Sequence, residues 1–115
     1  MILKKLIICS LIITSLFLIG CGNTPKVNLD TFASCLNDNG AVMYGASWCG
    51  HCSEQKELFG ESFEKVNYVE CTLQQEKCQN DGIQGYPTWK FADDSIAMGK
   101  QEFSTLAERA GCLLN

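Results

Sequence analysis

Apolar residues recur at two different periods along this chain, and the changes of period divide it into alternating elements. Leu29, Phe32, Ala33 and Leu36 are spaced as one face of a helix over 29–37, with Asn28 or Asp30 available to cap it. Asp38-Asn39-Gly40 then supplies turn chemistry. Ala41-Val42-Met43-Tyr44 is a continuous apolar run of a length that suits a buried strand. From Cys49 the period becomes helical again. Cys52, Phe59, Phe63 and Val66 share one face, while Glu54, Gln55, Lys56, Glu57 and Glu61 fill the other positions. Gly60 inside this run costs about 1 kcal/mol relative to alanine and predicts a kink.

The second half continues the alternation. Val66–Cys71 reads as a strand and Gln74–Asp81 as a small surface helix ended by Gly82. Gly85-Tyr86-Pro87-Thr88 turns into a third strand over 88–91, and Asp93-Asp94 makes a hairpin to a returning strand over 95–98. Ser104 is the expected cap of a last helix, which runs through Ala110 and stops at Gly111. The order is helix, strand, helix, strand, helix, strand, strand, helix. It predicts one α/β domain over 29–115, a mixed central sheet with helices on both faces.

The first residues follow neither period. Lys4 and Lys5 precede an almost wholly apolar stretch from Leu6 to Ile19, closed by Gly20-Cys21. A basic start, an apolar run and a small-residue boundary describe an export signal over 1–20. The run falls short of the ~20 apolar residues that a membrane span needs. Leu18-Ile19-Gly20-Cys21 resembles the lipobox of bacterial lipoproteins, which implies lipidation of Cys21 and a membrane tether over 21–28. A plain signal peptide and an uncleaved anchor are the other readings. Removal of Lys4 and Lys5 leaves seven basic against thirteen acidic residues. An acidic balance argues against nucleic acid as a partner, because phosphate must be neutralised by Lys and Arg.

Eight cysteines are many for 115 residues. Cys9 leaves with the signal, and lipidation would occupy Cys21. Cys35, Cys49, Cys52, Cys71, Cys78 and Cys112 remain, an even set that suits an oxidising, extracytoplasmic compartment. Six cysteines admit fifteen pairings, so spacing alone does not assign them.

Cys49-Gly50-His51-Cys52 stands between a strand and the first turn of a helix. There the first sulfur faces unsatisfied N–H groups and the positive end of the helix dipole, which favour thiolate over thiol. The thiolate is the species that attacks disulfides. Cys52, one turn on and on the apolar face, is expected to be buried and to resolve the mixed disulfide. His51 is expected to donate to the Cys49 sulfur or to place positive charge beside it, and so to stabilise the reduced form. Such a centre needs neither organic cofactor nor metal. The same four residues could form half of a zinc site or a structural disulfide. No second CxxC or HxxxH accompanies them, however, and CxxC rings are tight and readily reduced.

Tyr44-Gly45-Ala46-Ser47-Trp48-Cys49-Gly50-His51-Cys52 resembles the strand–CxxC–helix entry of the thioredoxin fold family. Gly82-Ile83-Gln84-Gly85-Tyr86-Pro87-Thr88-Trp89 resembles its cis-proline loop. The resemblance implies a cis Pro87 against the CxxC, with Tyr86 facing substrate and Trp48 and Gly85 beside it. The tetrapeptide is similar to that of protein disulfide isomerases. Residues 41–89 also resemble thioredoxin-like domains associated with bacterial vitamin K epoxide reductase homologues. That likeness suggests a quinone-linked membrane thiol oxidase as partner, alongside protein thiol and disulfide substrates. Many thioredoxins carry a buried acid at the position of Met43; its replacement favours oxidation or isomerisation over reduction. Cys71 and Cys78 are expected to form a structural disulfide, which leaves Cys35 and Cys112 as a pair by subtraction. Two other classes compete: a copper metallochaperone, and a lipid-tethered binding module that uses the loop around Tyr86 and Trp89.

Overall fold

The computed structural model describes residue 20 and residues 29–114. The expected export signal, the expected lipidation of Cys21 and the expected 21–28 tether fall outside the described residues, except for Gly20. The elements are α1 Leu29–Asp38, β1 Val42–Gly45, α2 Gly50–Phe59, a 3₁₀ segment Gly60–Lys65, β2 Asn67–Glu70, α3 Gln75–Asn80, β3 Thr88–Lys90, β4 Ile96–Met98 and α4 Phe103–Ala110. The four strands form one sheet in the order β2-β1-β3-β4. β1 runs parallel to β2, with Met43 opposite Tyr68, and antiparallel to β3, with Met43 opposite Trp89. β3 and β4 form the terminal antiparallel hairpin. The mixed sheet expected from the sequence is the one observed.

Alternation along β1 divides the core into two layers. Met43 faces a cluster built from Phe32 and Leu36 of α1, Cys52 and Phe59 of α2, Trp89, and Leu106 of α4. Tyr44 faces the opposite layer with Val69, Cys71 and Cys78, against which Val42 packs. Successive strand side chains point to opposite faces, so a single strand anchors both layers.

Three local expectations are corrected. The helix that starts at the cysteines does not run on to Val66. Gly60 adopts φ +57°, its N–H bonds to the carbonyls of Lys56 and Glu57, and the next turn continues as 3₁₀. A positive φ is cheap only for glycine and ends the α geometry. Ser104 is not a cap; α4 begins at Phe103 with Glu102 at the N-cap and no side-chain cap bond. That start sets Phe103 against Phe59 (ring centroids 4.7 Å) and Phe32 (5.4 Å), so packing rather than capping chooses the boundary. Gln55, assigned by its polarity to the solvent side of α2, is fully buried.

Candidate active site

β1 delivers the chain to the sulfurs. Cys49 is the N-cap of α2, in extended backbone conformation (φ −83°, ψ 117°). Its Sγ accepts a hydrogen bond from the Cys52 N–H at 3.2 Å. A helix start leaves its first N–H groups without partners inside the helix, and here a sulfur fills the place usually taken by a serine or aspartate oxygen. Both thiols are free. Cys49 is 7% exposed and Cys52 1%. Burial, followed by the hydrogen bond with Cys49, pushes the Cys52 thiol up to about 11; the Ala46 backbone and the Lys56 charge act in the opposite sense.

Trp48, three-quarters exposed, flanks the pair on its outer side. Its ring meets the Tyr86 ring edge-on, with centroids 5.9 Å apart, which brings the cysteine motif and the proline loop together. The Tyr86–Pro87 peptide is cis, and Pro87 is fully buried. The loop is fixed by the Thr88 hydroxyl, which donates to the Gly85 carbonyl at 2.7 Å. The Pro87 carbonyl accepts from the Gly99 N–H, also at 2.7 Å. A Cβ on Gly85 would stand 3.1 Å from the Met98 methyl, so the hairpin leaves little room for one.

His51 does not take the place expected of it. Its ring is exposed, and Nδ1 lies 3.3 Å from Glu54 Oε2, a carboxylate oxygen shared with Lys100 Nζ at 3.3 Å. Among the described residues, no hydrogen bond joins His51 to the Cys49 sulfur. One helical turn sets the partner, because residues three apart on α2 stand side by side. The His51 and Lys100 hydrogen bonds hold the Glu54 carboxyl below its usual range.

The other four cysteines among the described residues form two disulfides. Cys71–Cys78 links the end of β2 to α3, and Cys35–Cys112 ties α1 to the segment after α4. The first borders a cleft of about 370 Å³, together with Trp48, Thr72, Ile83 and Tyr86. Trp89, placed by the binding-module reading on the recognition loop, is fully buried instead and donates its indole N–H to Gln55 Oε1 at 3.1 Å. Gln55 also accepts from the Gln101 N–H (2.7 Å) and donates to the Gln101 carbonyl (3.1 Å). Its spacing from Cys52 and Phe59, three residues after one and four before the other, was the available signal that it shares their buried face. Among the described residues, no group of three or more His, Cys, Asp or Glu side chains is arranged to hold a metal ion.

Comparison with known proteins agrees with this geometry. The family profile described as Thioredoxin matches residues 23–109. A thiol-disulfide oxidoreductase of Arabidopsis thaliana, LTO1, is 44% identical over 89 residues, covering 70% of this chain and 23% of that protein. A protein disulfide-isomerase of Aspergillus niger is 34% identical over 75 residues, covering 57% of this chain and 15% of the isomerase. The chain therefore spans less than a quarter of the length of these relatives. Among solved structures, Malassezia sympodialis thioredoxin superposes with a TM-score of 0.49 at 19% identity, over 74% of this chain and 88% of that one. With a sheet-borne CxxC, a cis X-Pro loop facing it across Trp48 and Tyr86, and a profile match over most of its length, the chain belongs to the thioredoxin family.

Proposed function

We propose that this protein is an extracytoplasmic thiol–disulfide oxidoreductase that exchanges disulfides with protein thiols through Cys49 and Cys52, working as an oxidase or isomerase. The observation that carries the reading is the Cys49 sulfur at the N-cap of α2, accepting the Cys52 N–H at 3.2 Å. The sulfur there stands at the positive end of the helix dipole with a backbone donor aimed at it, and the neighbouring Trp48 and Tyr86 rings offer a surface to a substrate chain.

Exchange passes through a mixed disulfide. In oxidation, a substrate thiolate attacks Cys49 Sγ of the closed pair, and Cys52 leaves with the electron pair. The substrate's second thiolate then attacks its own sulfur in the mixed disulfide. This closes the substrate disulfide and releases Cys49. In isomerisation Cys49 attacks first, and Cys52 is held in reserve to resolve a stalled intermediate. The oxidising direction rests on buried, uncharged Met43 rather than on His51, whose ring is turned to Glu54. The apolar start of the chain and Cys21 support export and a lipid tether. A quinone-linked membrane thiol oxidase is the reoxidising partner that such a tether suits.

Cys49→Ser should reduce oxidation of a dithiol peptide to background, while the variant keeps its circular dichroism spectrum. Unchanged turnover would end the assignment. The wild-type reduction potential should fall nearer the isomerase value of about −180 mV than the thioredoxin value of about −270 mV.

A further inference from the structure

Behind Cys52 stand three side chains that the exchange steps leave unused. Tyr68 of β2 turns its edge toward the sulfur. A Cβ built on Gly45 would lie 2.9 Å from both Cε2 and Oη of Tyr68 and 3.2 Å from Cys52 Sγ, so ring edge and sulfur close around one point. The face of the same ring carries Lys56, with Nζ 4.1 Å from its centroid and 5.7 Å from that of Phe63. The Tyr68 hydroxyl donates to Glu70 Oε1 at 3.0 Å. Glu70 Oε2 in turn accepts from the N–H groups of Ser47 (3.1 Å) and Thr72 (3.2 Å) and from the Thr72 hydroxyl (2.9 Å). Lys56 is half-buried and lies one turn beyond Cys52, a spacing that puts both on one side of α2.

We propose that Lys56, seated on the Tyr68 ring, is a positioning charge that stabilises Cys52 as a thiolate whenever Cys52 leaves or attacks. The proposal rests on the reading of Cys49 and Cys52 as the exchanging pair. In oxidation the Cys49–Cys52 bond breaks and Cys52 takes the electron pair. In resolution Cys52 gives its proton to water and attacks Cys49 Sγ; the substrate sulfur leaves with the electron pair and is protonated in its turn. Both passages put negative charge on a sulfur that is 1% exposed, where an uncompensated anion is costly.

The form of the seat matters. A carboxylate paired with Lys56 would cancel its charge, whereas an aromatic face holds an ammonium without neutralising it. Donation from Tyr68 to the Glu70 carboxylate enriches the ring and fixes its plane. The titratable groups acting on Cys52 are Cys49 and Lys56 of its own helix and Tyr68 of the adjacent strand, with Glu70 reaching it through Tyr68. Of these, Lys56 is the cation.

The test uses full-length protein carrying Cys9→Ser and Cys21→Ser, reduced only at Cys49 and Cys52 and mixed with 5,5′-dithiobis(2-nitrobenzoate). The first aryl thiolate reports attack by Cys49 and the second reports resolution by Cys52. Lys56→Met should slow the second release about two- to fivefold at neutral pH and move its pH profile up by about half to one unit. The first release should stay within about twofold. Lys56→Arg should restore most of the loss. Tyr68→Leu should reproduce it, and Tyr68→Phe, which keeps the ring, should show less. Titration of ¹³Cβ-labelled cysteine by NMR should record the same displacement of Cys52 without turnover. A Lys56→Met protein whose second release and Cys52 titration both match the parent would overturn the proposal. A Cys49→Ser protein that still gives the first release at the parent rate would instead overturn the assignment of the attacking sulfur.

Discussion

Three pairs of cysteines share this small domain, and burial does not separate them. Cys52, Cys71 and Cys78 are almost equally enclosed, and so are Cys49 and Cys112, yet two pairs are joined and the third is an open dithiol. Their settings differ instead. Cys71 and Cys78 sit within an apolar cluster beside Tyr44 and Val69, and Cys35 and Cys112 tie two ends of the domain together. Cys49 alone occupies a helix N-cap, with a backbone N–H aimed at its sulfur and an exposed tryptophan at its side. Burial protects a sulfur from reagents, whereas a helix start beside an exposed ring leaves it open to chemistry.

That contrast can be broken or sharpened by experiment. Removing the Cys35–Cys112 bridge, whose partners are 77 positions apart, should cost about 4.5 kcal/mol on the chain-entropy account, read from the denaturant midpoint. Exchange by the folded protein should stay within about twofold; a tenfold fall would mean that staple and site are one unit. Removing Cys71–Cys78, with a separation of 7, should cost about 2 kcal/mol. It should raise KM for a peptide substrate more than it lowers kcat, because this bridge borders the cleft beside Trp48 and Tyr86.

Gly45→Ala probes the other side of the contrast. The new methyl would meet Tyr68 at 2.9 Å and Cys52 Sγ at 3.2 Å, so roughly 1–2 kcal/mol of overpacking is expected. Unlike loss of either bridge, it should slow resolution by Cys52.

The smallest effect is a dependence on pH. The Cys52 thiol ionises at about 11 in the fold against an ordinary 9.0, so the folded chain holds this proton more tightly than the unfolded one. The stability it contributes is whole below pH 9 and is lost as pH rises through 11. The Tm of the reduced protein should therefore fall relative to that of the oxidised protein between pH 9 and 11. Tyr44 cancels in the difference, while repulsion between Tyr68 and the Cys52 and Cys49 charges exists only in the reduced form and acts in the same sense.

Much of the site was legible because its signals are local. A buried strand, a CxxC and the first turn of a helix are contiguous, so the position of Cys49 at the helix start follows from residues 41–59 alone. Gly40, Gly82 and Gly111 carry positive φ and mark ends that turn chemistry predicts, whereas Gly60, expected only to kink its helix, ends it. The partner of His51 was harder to read, because residues 49 and 54 each lie within one turn of residue 51 and only the built helix shows which way the ring turns. Gln55 was misplaced by its polarity, although its spacing carried the answer.

The amino-acid sequence by itself determined the order of elements, the mixed sheet and the redox motif, since periodicity, turn residues and helix starts act over a few neighbours. Tertiary structure decided the placement of β1 between β2 and β3, the approach that brings Cys35 within reach of Cys112, the burial of Trp89 on Gln55, and the seating of Lys56 on Tyr68. Each of these joins residues that are distant in the chain, from twelve positions apart to seventy-seven. At such distances a contact is chosen by the packing of whole layers, which no local period encodes.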